Sequence, residues 1–214
     1  MDWEAAIERA RARYEDGEGR LPDDPDARQR QLTRMGNAAW AAGLCSLMAG
    51  HDHEEWLRLA ATRYRESWPD APPGSWGRPV AILTSLLLAA DEEGAREAAR
   101  WTLAEGAGEA DSPIGRYAAA LAYLVLGEWD DARVHADFAR THEGFPTEVA
   151  DALAYIAAED VLGYIEAVEA VLESFETRDE YLEDVPVADT VLVLQELAAR
   201  REMAATDLSS PLLP

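Results

Sequence analysis

Lysine is missing from this chain: all 19 basic side chains are arginine. The absence excludes a P-loop lysine, a pyridoxal-phosphate lysine and any lysine nucleophile. It also leaves no lysine side chain to carry a conjugated small protein or an acetyl group. Cys45 is the only cysteine, which excludes internal disulfides and any multi-cysteine zinc site. Asn37 is the only asparagine, and phenylalanine occurs three times. A GC-rich genome is sufficient to produce this bias. Long apolar runs are also lacking. The longest, near Val80–Ala90, is interrupted by Thr84 and Ser85 and is too short to span a bilayer. The start, Met1-Asp2-Trp3-Glu4, has neither a basic nor an apolar leader, so no export signal is expected and a cytoplasmic protein is the simplest reading.

What is abundant is acid. The 214 residues carry a formal charge of −23, which argues against nucleic acid or an anionic membrane as a partner. Two readings stand: a solubility device in a salt-accumulating, halophilic cytoplasm, or steering towards a basic protein partner. An apolar content of 48% is normal for a folded chain long enough to build one substantial core.

Ala60, Ala95, Ala132 and Ala167 recur at intervals of 35, 37 and 35 residues. Four positions later come Tyr64, Ala99, Ala136 and Val171, and seven positions later Ser67, Thr102, Ala139 and Ser174. Small or apolar residues at i, i+4 and i+7 mark a helix face lying close to a neighbour. A period near 35 is the length of one helix–turn–helix unit that buries its apolar side by stacking on the next. The expected fold is therefore all-α: a short α-α solenoid of helix pairs with a C-terminal capping helix, forming a single domain over 1–214.

Helices are expected near 3–16, 27–49 and 53–68, the third opened by a capping box of Asp52 and Glu55. The stretch 69–79 holds four of the eleven prolines and two glycines and reads as an internal joint. Helix pairs follow at 79–90 with 92–105, 113–126 with 129–141, and 147–158 with 161–176. An unpaired helix, 187–203, ends the series.

Within that frame, Tyr117–Phe145 resembles a tetratricopeptide repeat through Ala119, Ala120, Tyr123, Gly127, Ala132 and Ala139. Ala90, Ala95 and Thr102 repeat part of that framework, and Ala60, Tyr64 and Pro72 another part. The first-helix tryptophan is absent from Tyr117–Phe145, Ala99 and Ala136 replace the second-helix aromatic, and the first unit is too long. The resemblance covers about two thirds of the chain and implies a right-handed solenoid that binds protein segments. Ser112–Gly127, the Tyr155–Phe175 helix pair and Val187–Ala199 with Leu212-Leu213-Pro214 also resemble the C-terminal half of all-α immunity proteins of bacterial polymorphic-toxin systems. That resemblance implies binding and neutralisation of a cognate toxin.

Three constellations are candidates for function. Glu166, Glu169, Glu173, Glu176 and Glu180 step by 3, 4, 3 and 4 down one helix face, opposite Ile165, Val168, Leu172 and Phe175. Between Glu159 and Asp189 there are eleven acids and one base, Arg178. The stripe reads as a solvated face or as a docking strip for a basic partner. Arg78 and Arg116, each preceded by glycine and 38 residues apart, open successive units. They either pair with nearby carboxylates or line one groove that reads carboxylate or phosphate as a small-ligand or regulatory site. Trp76, inside the Pro/Gly joint, is either a wedge between subdomains or an exposed anchor, whereas Trp3, Trp40, Trp56, Trp68 and Trp101 fall at core spacing. His51-Asp52-His53-Glu54-Glu55 reads as a polar turn, because His51 and His53 do not share a helix face. Neither a nucleophile–base pair nor a metal set can be assembled, so the expectation is a non-enzymatic protein with no metal and no cofactor.

Overall fold

The computed structural model describes residues 1–203 and 208–214, and among them it is all-helical, with ten α-helices, two short 3-10 turns and no strand. No helix among the described residues is long and apolar enough to cross a membrane. The starts of the helices follow from local chemistry. Asp2, Asp24, Asp91, Ser112 and Asp160 each accept a hydrogen bond from the backbone N–H three residues on. These caps satisfy donors that a first turn otherwise leaves orphaned. They open α1 (Trp3–Glu18), α2 (Pro25–Met48), α5 (Glu92–Ala104), α6 (Pro113–Leu126) and α9 (Val161–Glu176). Between them lie α3 (Glu54–Ser67), α4 (Gly77–Leu88), α7 (Trp129–Arg140) and α8 (Thr147–Ala158), and α10 (Asp189–Arg200) comes last.

The capping box expected at Asp52 and Glu55 does not form. His53 stands at the N-cap without a side-chain hydrogen bond, and Glu54 accepts from the His53 N–H instead.

Each helix from α1 to α9 packs on the next, and α4, α6 and α8 also touch in series. The repeated alanines explain the closeness. Ala60, Ala95, Ala132 and Ala167 are all buried, as are Tyr64, Ala99, Ala136 and Val171 one turn later. Glycine does the same work between α2 and α3. A Cβ on Gly43 would lie 2.7 Å from Leu57, and one on Gly36 would lie 2.8 Å from the Tyr64 ring.

The Pro/Gly stretch does not interrupt the core, which runs continuously from Ala6 to Met203. It is a loop bound down by aromatic rings. Trp68 lies 5.3 Å from Trp76 and 5.6 Å from Trp101, and both Trp68 and Trp101 donate their indole N–H to Glu105.

The C-terminal helix departs from a simple end cap. α10 packs against α4, α8 and α9, so it runs back along the array. To reach that position, residues 177–188 cross to the start of the chain, where Glu183 meets Arg13 of α1 and Asn37 of α2.

Candidate partner-binding surfaces

The first surface is the outer side of α9. Tyr164, Ala167, Val168, Val171, Leu172 and Phe175 face inward and are buried. Glu166, Glu169, Glu173 and Glu176 are exposed on the other side, beside Leu162 at 76% exposure. Among the described residues none of these four glutamates pairs with an arginine. Glu176 accepts a hydrogen bond from Ser210 at 2.7 Å. The helix ends at Glu176, so Glu180 is exposed but belongs to the crossing segment and does not extend the helical stripe. The lone base in this region, Arg178, lies 3.7 Å over the Phe175 ring.

The second set, Arg78 and Arg116, is placed differently from the expected shared groove. Arg78 donates to the Ser67 carbonyl at 2.9 Å and to Gln29 Oε1, tying the end of α3 to the start of α2. Arg116 donates to the carbonyls of Gly108 and Ala110 and contacts His135 Nδ1 at 3.2 Å. Its guanidinium also sits 4.5 Å over Phe138. Each arginine therefore satisfies backbone carbonyls within the fold, and neither pairs with a carboxylate among the described residues. Burial, reinforced by the Arg116 charge, holds His135 below the ordinary histidine range. The imidazole stacks on Tyr123 with its plane 4° from parallel.

Trp76 lies between the end of α3 and the start of α6. Beyond its contact with Trp68, its indole would meet a Cβ on Gly115 at 3.0 Å. Trp76 is half-buried there and also lines a cavity of about 520 Å³ with Trp68, Pro72 and Glu105. Arg78 lines a cavity of about 330 Å³ with Thr33, Asn37, Tyr64 and Leu182, which Trp76 does not reach.

A third region escaped the sequence reading. Asn37 Oδ1 accepts from the Tyr64 hydroxyl at 2.8 Å, while its Nδ2 donates to Glu183 at 3.4 Å. Glu183 also pairs with Arg13 at 2.7 Å. A few residues on, the Asp189 carboxylate accepts from the Thr190 N–H at 2.8 Å. Burial nevertheless pushes Asp189 up to about 6, against the opposing pull of Thr190 and Arg178. The one available signal was composition: the chain's single asparagine sits within an apolar helix and is held there by two polar partners.

Near the N-terminal end, His51 Nε2 contacts Glu4 at 2.6 Å and His53 Nδ1 contacts the His51 carbonyl. No group of three or more metal-ligating side chains is assembled among the described residues. Comparison with protein-family models, with curated proteins and with solved structures finds no match for this chain.

Proposed function

We propose that this is a non-enzymatic, cytoplasmic protein-binding module, a short right-handed α-α solenoid of tetratricopeptide-like helix pairs that docks a basic protein through the outer face of α9. The observation that carries the proposal is the state of that face. Glu166, Glu169 and Glu173 stand exposed beside Leu162, and among the described residues no arginine is drawn to them in a chain that holds 19. Like charges at these spacings destabilise a helix by roughly 0.2–0.5 kcal/mol per pair, a cost that a cationic partner would relieve. The order of helix pairs and the serial packing of α4, α6 and α8 support the solenoid. The small-ligand alternative has less support, because Arg78 and Arg116 engage separate parts of the fold and do not line one shared groove.

Neutralisation of a toxin is the specific form of this function suggested by the resemblance over 112–214. Its test is co-expression with a toxin-domain protein encoded beside this gene, where rescue of growth supports it. The docking face is tested with the double variant Glu169→Arg, Glu173→Arg, since both positions face solvent. The partner captured from native lysate by the wild-type chain should associate more slowly with the variant, with a flatter salt dependence. An unchanged rate would reduce the stripe to solvated surface.

A further inference from the structure

The chain is acidic, but its acidity is uneven. Residues 1–34 hold seven arginines against nine acids, a formal −2 of the total −23. Four of those arginines line two cavities at the α1/α2 end. One, of about 410 Å³, is lined by Arg9 and Arg13. The other, of about 500 Å³, is lined by Arg13, Arg20 and Arg34. The Arg13–Glu183 pair forms part of the wall of both. Arg20 pairs with Asp16, while Arg9 and Arg34 form no ion pair among the described residues. Cations left unpaired in so acidic a protein are the inverse of the α9 face.

Something already occupies the middle of this cleft. The crossing segment brings Leu182, Glu183 and Asp184 over α1 and α2, and the Glu183 carboxylate accepts from Arg13 and Asn37. The segment is anchored at its ends, by Val185 buried in the core and by the Tyr181 hydroxyl donating to the Phe175 carbonyl, and is loose at its tip. Leu182 is 55% exposed, and Glu183 and Asp184 both adopt left-handed backbone conformations, with φ of 55° and 59°. The neighbouring cavities remain open on either side of it.

We infer that the Arg-lined α1/α2 cleft is a binding site for an extended acidic segment of a partner protein, and that the tip formed by residues 182–184 is an exchangeable internal occupant of it. The carboxylate of an incoming segment takes the place of Glu183 on Arg13 and Asn37, and further acids reach Arg9 and Arg34 through the flanking cavities. The tether makes the internal segment a competitor at an effective concentration of about millimolar, so the site is masked until a better-matched segment displaces it. This inference is independent of the α9 docking face.

The probe is a fluorescent peptide copying residues 179–187, added to the full-length protein and followed by anisotropy. It should bind Glu183→Ala about tenfold or more tightly than wild type, because the internal competitor is weakened. Adding Arg13→Glu to that variant should abolish the gain, and raised salt should weaken binding. A scrambled peptide of the same composition should bind less well. The variant Glu169→Arg should leave peptide binding unchanged, which separates this site from the α9 face. If Glu183→Ala loses its helical circular dichroism, Glu183→Gln removes the charge with little change of shape and must show the same gain. Equal affinity for wild type and the unmasked variant, or binding that survives Arg13→Glu, would overturn the inference. Displacement of the peptide by phosphate beyond the effect of chloride at equal ionic strength would also overturn it, as a site for small oxyanions only.

Discussion

Replacing Asp189 with asparagine should stabilise the protein above neutrality and leave it almost unchanged in acid. Asp189 is the first residue of α10, where it is part-covered, and its carboxyl titrates at about 6, against 3.8 for a free side chain. Between roughly pH 4 and 6 the folded state keeps a proton that the unfolded chain has released, so wild-type stability falls as pH rises through that window. That elevation corresponds to at most about 3 kcal/mol. Solvent reaching the part-exposed group screens some of it, so about 1–2 kcal/mol is the expected penalty above pH 6. The substituted amide keeps an oxygen to accept from the Thr190 N–H while removing the charge. Thermal melts of Asp189→Asn should therefore exceed wild type by about 2–8 °C at pH 8 and coincide with it near pH 4. A difference of the same size at both pH values would show that the gain comes from packing. No difference at either would show that the carboxylate is adequately solvated and that burial exerts no such effect.

Four further perturbations probe the packing and the charge. Ala132→Leu places a branched side chain at a fully packed contact and should destabilise by about 1–3 kcal/mol in urea denaturation. Gly36→Ala should show a similar loss, because the new Cβ would lie 2.8 Å from the Tyr64 ring; a neutral result would mean that the ring moves freely aside. Arg116→Ala strips partners from the Gly108 and Ala110 carbonyls and should destabilise by about 1–3 kcal/mol. The same change should raise the His135 titration midpoint followed by NMR, since the Arg116 charge helps to hold it low. If the acidity is a salt adaptation, the melting temperature should climb from low salt into the molar range, and a flat response would favour partner steering.

The helices were legible in the sequence because their causes are local. The structure sets the helix starts at Asp2, Asp91, Ser112 and Asp160 by hydrogen bonds to residues three positions away, whereas the capping box expected at Asp52 does not form. The alanine spacing identifies buried faces, since a small residue at i and i+4 favours close packing whatever the neighbour is. The exposure of Glu166, Glu169 and Glu173 was likewise implied by the apolar residues opposite them on one helix. Tertiary structure alone decided where side chains distant in sequence would meet. Arg78 and Arg116 both lie in the first turn of their helices, yet one reaches back to Gln29 and Ser67 while the other binds a 3-10 turn between α5 and α6. A guanidinium takes whichever carbonyls the surrounding loops present, and loop paths carry no periodic signal. The return of residues 177–188 to Arg13 and Asn37, and the burial that shifts Asp189, depend on contacts spanning most of the chain. Helix periodicity is a property of neighbouring residues; the masked cleft exists only because folding brings the C-terminal segment back over the first two helices.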